Sequence, residues 1–197
     1  RDRLRSRGLG DVYKRQFLPG GAHNVANDKT KHLVRKWVPR VLRATAPRNS
    51  TNMDWIVFRV AELYLNYAEA LNEYYETPPK EAFDAVLKVR ERSGMPGFPS
   101  TLNKEQFREK LRRERAVELA YEDHRFWDIR RWLIADDEGV MKGAMYGLQL
   151  SAVTGAPGKV HYKPYVFENR LWSDRSYLHP IKQTEIDKGY MLQNPGW

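Results

Sequence analysis

Cysteine is absent from the 197 residues. That absence removes disulfides, thiolate catalysis and zinc–cysteine sites for this chain. Long apolar runs are absent too, and no stretch approaches the ~20 residues a membrane helix needs. The chain has no initiating Met and no signal-like segment, and without a start the missing signal is uninformative. Catalytic signatures are equally scarce. Gly20-Gly21 leads into neither a GxGxxG nor a Walker pattern, and there is no GxSxG nucleophile elbow. The histidines are His23, His32, His124, His161 and His179, and no two stand at metal-ligand spacing on a helix. No cofactor and no metal are expected.

What is present suits an ordinary domain with a real core, since 41% of the residues are apolar. Aromatics reach 12%, with six Trp and eleven Tyr. Such rings serve cores and equally serve as stacking platforms. The net charge of +9 raises a nucleic-acid reading. Residues 1–16 carry six basic and two acidic side chains, so they supply +4 of that total. This stretch has no apolar period and no helix caps. Asp11-Val12-Tyr13-Lys14-Arg15-Gln16 is what GAT GTG TAT AAG AGA CAG encodes, a sequencing-adaptor end. Residues 1–16 are therefore expected to be foreign, and the remaining +5 is an ordinary solvated surface.

Phe17 to Asn52 is irregular, punctuated by Pro19, Gly20-Gly21, Pro39 and Pro47. Asp54 to Glu76 predicts a helix, with Ile56, Val60, Leu63, Tyr64, Tyr67, Leu71 and Tyr74 recurring at three and four residues and Asn52 or Asp54 as its cap. Thr77, with Pro78 at the first helical position, predicts the start of a second helix. Its inner face is Ala82, Phe83, Val86 and Leu87, and Gly94 and Pro96 end it. The short connection makes the two an antiparallel hairpin. Asn103-x-x-Gln106 reads as a capping box opening a third helix, striped by Phe107, Leu111 and Leu119. A break near Glu122–His124 leads into a short helix around Phe126, Ile129, Trp132 and Leu133. Beyond Asp136, a strand at His161 to Phe167 pairs with Met145 to Val153 in a hairpin. Gln183 to Lys188 makes one helical turn, and Asn194-Pro195-Gly196 a chain turn. The expected fold class is mainly α, with a small β-containing tail.

Four stretches in order carry a resemblance. They are Arg59-Val60-Ala61-Glu62-Leu63-Tyr64-Leu65-Asn66-Tyr67-Ala68-Glu69-Ala70-Leu71-Asn72-Glu73, then Val89-Arg90-Glu91-Arg92-Ser93-Gly94-Met95-Pro96. Glu114 to Trp132 follows, containing Glu118-Leu119-Ala120-Tyr121-Glu122-Asp123-His124-Arg125-Phe126-Trp127-Asp128, and then the ending from Tyr177-Leu178-His179-Pro180-Ile181 to Gln193-Asn194-Pro195-Gly196-Trp197. Together they resemble the SusD/RagB family of outer-membrane nutrient-binding proteins over about Val34 to Trp197. Asp123 departs from the family's usual Gly, and Lys182 from a frequent Pro. The resemblance implies tetratricopeptide-like helical pairs, the hairpin at 54–93 being the last. It implies that residues 17–197 are the C-terminal part of one SusD-like domain whose N-terminal part is missing. It also implies a surface lipoprotein at the outer membrane, held by a lipidated N-terminal Cys absent here. Such a protein binds oligosaccharides, or in some members peptides, without chemistry, and partners a SusC-like TonB-dependent transporter.

One constellation invites an enzymatic reading. Glu114, Glu118, Glu122, His124, Arg125 and Asp128 resemble a paired-carboxylate glycosidase site. Yet Glu114, Glu118 and Glu122 share one helix face and need cations to answer them. Arg115, Arg125, Arg130 and Arg131 stand nearby, so an ion network joining two helices is the simpler expectation. It comprises Glu114, Arg115, Glu118, Glu122, Arg125, Asp128 and Arg131. A glycoside hydrolase using this segment is the alternative function. A nucleic-acid binder is disfavoured, because Glu interrupts the basic residues between Arg108 and Arg131 at nearly every turn. For glycan stacking the candidate rings are Trp37, Trp55, Tyr146, Tyr165 and Trp172. Trp37 and Trp172 lead, since both lie in irregular segments with polar neighbours.

Overall fold

The computed structural model describes Lys29, Thr30, Lys36 and residues 55–154 and 159–197. These fall into two compact units, one holding Lys36 and residues up to Trp127, the other Lys29, Thr30 and the chain from Asp128 onward.

The first unit is helical. Helix α1 spans Val60–Tyr74, α2 Lys80–Glu91 and α3 Lys104–Glu118, and α4, His124–Arg131, begins in this unit and ends in the second. Helix α1 begins later than expected. Trp55-Ile56-Val57-Phe58 is a run of aromatic and β-branched residues, which lose side-chain freedom in a helix. Arg59 is still extended, at φ −150 and ψ 155, and its side chain makes no cap. Asn52 and Asp54, the expected caps, lie outside the described residues.

The buried face of α1 also differs from expectation. Its interior residues are Glu62, Leu65, Ala68 and Asn72, whereas Val60, Leu63, Tyr64, Tyr67 and Tyr74 are exposed. The inward face is the one with small Ala68, beside which another backbone can approach. Its polar members find partners: the Asn72 amide donates to the Lys104 carbonyl at 3.3 Å. The aromatic stripe points the other way.

Helix α2 begins at Lys80 with Pro79 as its N-cap residue, two positions after the expected start. The double proline explains the shift. A residue before proline is driven out of the α region, so Pro78 cannot open a helix that Pro79 follows. At the other end Gly94 takes φ +67, a conformation that favours glycine, and its N–H bonds the Glu91 carbonyl at 2.8 Å. Helix α3 opens with the expected capping box. Asn103 Oδ1 accepts from Gln106 N at 2.9 Å, and Gln106 Oε1 accepts from Asn103 N at 3.2 Å. Phe107, Leu111 and Leu119 are all buried, joining Leu65, Ala68, Ala82, Ala85, Val86 and Val89 in one core. Phe83 and Phe98 meet the Phe107 ring edge-on, at 4.9 and 5.7 Å between centroids. Leu87, expected inside, is partly exposed.

The second unit centres on an antiparallel hairpin of β1 (Gly143–Ala152) and β2 (Val160–Arg170). The register runs from Gly143 opposite Arg170 to Ala152 opposite Val160, with a bulge that leaves Phe167 unopposed. The Lys29 carbonyl joins the outer edge of β1, accepting from Leu148 N at 2.8 Å. A Cβ on Gly147 would stand 2.4 Å from that oxygen, so only glycine fits there. A 3-10 turn at Asp174–Tyr177 and a one-turn helix α5 at Gln183–Ile186 complete the described chain. The Trp197 indole N–H donates to the Arg175 and Leu178 carbonyls at 3.0 and 3.1 Å, tying down the C-terminus. Among the described residues the architecture is mainly helical with one small sheet, as the sequence predicts.

Candidate functional site

Helix α3 and the turn after it carry the carboxylates that prompted an enzymatic reading, and all three are answered by cations. Glu114 pairs with Arg90 of α2. Glu118 Oε1 accepts from Arg59 Nη1 at 2.6 Å and from Arg92 Nη2 at 2.8 Å. Glu122 Oε2 accepts from Arg59 Nε at 2.7 Å, and its other oxygen pairs with Lys36. The answering cations are thus Arg59, Arg90, Arg92 and Lys36, rather than the neighbouring arginines of the same segment. These cations lie on other elements, and a planar guanidinium fork such as that of Arg59 can bridge two acids at once.

The same cations close the end of α3. The Glu118 carbonyl accepts from Arg59 Nη2 and Lys36 Nζ, each at 2.7 Å, and the Ala120 carbonyl from Lys36 Nζ at 2.9 Å. Carbonyls left free at a helix C-terminus carry partial negative charge, so cations stabilise them. The turn beyond is strained: Tyr121 and Asp123 take φ of +64 and +63, an unusual conformation for side-chain-bearing residues. Between them Glu122 is turned inward, its side chain only 3% exposed. Burial pushes the Glu122 carboxyl up, but hydrogen bonds from Arg59 and Lys36 outweigh it and hold the group below the usual carboxylate range. A glycosidase acid needs the opposite shift.

Arg115 is buried and donates to Asn66 Oδ1 at 2.5 Å, with Glu62 Oε1 at 3.7 Å. His124 Nε2 stands 3.6 Å from the other Glu62 oxygen. Arg125 is exposed, and no ion pair engages it among the described residues. In the second unit Asp128 is buried and pairs with Arg131 at 3.0 Å. Of the seven expected network residues, Glu118 and Glu122 thus share Arg59, Glu114 meets Arg90, Arg115 meets Asn66 and Glu62, and Asp128 meets Arg131. Sequence reasoning missed Arg59, Glu62, Arg90 and Arg92. Glu62 had a signal, a charge at helical spacing with the buried Leu65, whereas Arg59, Arg90 and Arg92 had none that set them apart from other surface charges. No group of three or more His, Asp or Glu among the described residues is arranged to hold a metal ion.

Of the candidate rings, Trp37 lies outside the described residues. Trp172 is half-buried, edge-on to Tyr177 at 5.3 Å, with the Arg130 guanidinium 5.2 Å from its centroid. Its indole nitrogen is buried without a hydrogen bond. The Tyr177 hydroxyl donates to Asp136 and accepts from the Ala135 and Asp136 N–H groups at 3.1 and 3.3 Å. Trp55 and Tyr146 are exposed, and Tyr165 is half-buried.

Comparison with known proteins gives a consistent result. The SusD family pattern matches residues 10–197. The SusD-like protein P25 of Formosa agariphila is 40% identical over 95 residues, covering 47% of this chain and 18% of that protein. The SusD-like protein P2 of the same organism is 30% identical over 158 residues, covering 76% of this chain and 26% of that one. Among solved structures, a SusD-like protein from Bacteroides fragilis superposes with a TM-score of 0.63 at 34% identity, over 74% of this chain and 26% of that one. A SusD homolog from Bacteroides thetaiotaomicron gives 0.52 at 30% identity, over 76% and 30%. The chain spans 18–30% of the length of these relatives.

Proposed function

The chain belongs to the SusD family, and from that premise we propose that the protein is a non-enzymatic, cell-surface binder of oligosaccharides, or of peptides. It hands its ligand to a SusC-like TonB-dependent transporter. It acts at the outer face of the outer membrane, held by an N-terminal lipid anchor. No helix among the described residues is long and apolar enough to cross a membrane.

The observation that supports a binding role over a hydrolytic one is the pairing of the carboxylates. Glu114, Glu118 and Glu122 each accept from at least one arginine. Each carboxylate is engaged by a cation from another element, and Glu122 in particular is held below the usual carboxylate range, the opposite of what a glycosidase acid needs. The segment from Glu114 to Glu122 is scaffold in this reading, joining α3 to the chain before α1. Trp37 and Trp172 are the proposed ligand contacts. Trp172 offers only part of its ring, because Tyr177 and Arg130 cover the rest.

Glu114→Gln and Glu118→Gln test the assignment. Each is expected to lower the melting temperature while folded protein keeps its glycan affinity. A well-folded Gln variant that loses a measured glycan-cleaving activity would overturn the reading.

A further inference from the structure

The hairpin carries a second surface, which the ion pairs leave untouched. Directly opposed residues share a face, and every second residue returns to it. Tyr146 and Val166, Leu148 and Pro164, Leu150 and Tyr162, Ala152 and Val160 are opposed pairs, so all eight lie on one face, and none is charged. Their neighbours on the other face include Gln149, Ser151, His161 and Lys163. Leu148 N–H turns outward to the Lys29 carbonyl, and Pro164 opposite has no N–H to offer. The apolar face is therefore the set of non-hydrogen-bonded pairs, where side chains stand closest. Leu150 is buried, whereas Tyr146 and Tyr162 are 65% and 50% exposed. The two tyrosines stand four residues apart along the ladder, about 14 Å, with Leu148 and Pro164 between them.

We propose that Tyr146 and Tyr162 form a two-ring platform for an uncharged oligosaccharide. The proposal rests on the glycan-binding reading above and adds a site and a ligand class to it. Phenol rings present flat apolar faces to the C–H faces of sugar rings, and their hydroxyls add a hydrogen-bonding edge. The paired strands fix the ring spacing, so little ordering entropy is lost on binding. Charge argues for a neutral ligand. In a chain with 30% charged residues, this strip offers an acidic sugar no cation, while Lys163 on the opposite face does.

The test is calorimetric titration of the protein, completed to the length of its relatives, with maltoheptaose, cellohexaose, xylohexaose and mannohexaose as neutral probes and hexagalacturonate as the acidic one. Thermal melts accompany each variant. Tyr146→Ala and Tyr162→Ala are each expected to weaken the best neutral probe about threefold to tenfold, with melting nearly unchanged. The Phe variants keep most of the affinity, and Lys163→Ala keeps all of it. Equal binding of the neutral probe by the wild type and the double Ala variant overturns the platform and leaves the glycan reading standing. Ala variants that melt far below wild type show packing rings and overturn it likewise. Tightest binding to hexagalacturonate, lost in Lys163→Ala, overturns the neutral ligand class. If no probe binds the wild type, the glycan reading falls and the platform with it.

Discussion

Replacing Arg59 with alanine probes the ion pairs at the point where they converge. Its guanidinium is 23% exposed and makes three charge-assisted bonds, to Glu118 Oε1, the Glu118 carbonyl and Glu122 Oε2, at 2.6–2.7 Å. Removing one partner of a buried pair costs about 3–5 kcal/mol, because the other charge stays buried without an answer. Here Arg92 still serves Glu118 and Lys36 still serves Glu122, which places the loss at the low end, about 3 kcal/mol. In a chain of this size that lowers Tm by about 6–12 °C. Arg59→Lys keeps the charge but not the planar fork, and should give about half the loss. Lys80→Ala, removing an 81% exposed i,i+4 partner of Asp84, is the control and should leave Tm almost unchanged. Calorimetric melts of the three variants decide the matter. If Arg59→Ala melts with Lys80→Ala, the convergence of cations on Glu118 and Glu122 does not hold the first unit together.

Four other perturbations extend the test, three from the structure and one from the sequence. Glu122 has a folded value below its unfolded one, so its contribution is complete above about pH 4.5 and is lost as pH falls through the folded value. Glu122→Gln should therefore be less stable at neutral pH and lose less on acidification, and parallel acid-unfolding curves would contradict this. Asn103→Ala removes the α3 capping box and should cost about 1 kcal/mol in urea unfolding. Asp123→Gly relieves a left-handed residue next to Glu122 and should leave stability equal or raise it by up to about 1 kcal/mol, whereas Asp123→Val should lower it. Deleting residues 1–16, which read as foreign, should leave Tm unchanged. A large fall would show that they belong to the fold.

The third helix and the hairpin were legible because their signals are local. Asn103 and Gln106 cap each other within one turn, and alternation on β1 and β2 has a period that needs no tertiary knowledge. Helix α1 was legible as a helix and misread as to face. Seven apolar residues at helical spacing marked one side as core, but the structure buries Ala68 with Glu62 and Asn72, whose partners Arg115 and Lys104 lie more than 30 positions along the chain. Polar groups join a core only when satisfied there, and a single sequence does not show which distant group does so. The same distance hid the cations. The acids of α3 were plain, and the need for counter-charge followed from their spacing. That Arg59 reaches both Glu118 and Glu122 depends on an extended residue before α1. The double proline was the reverse case: the rule that moves the start of α2 is local, and it applies equally to Pro78.

Binding without cleavage is the central claim, and one measurement meets it directly. The protein, completed to the length of its relatives, is titrated calorimetrically with the neutral oligosaccharides, and the same samples are analysed chromatographically after prolonged incubation. The account predicts saturable binding of at least one glycan and recovery of that glycan intact. Shorter sugars accumulating in proportion to protein would contradict it.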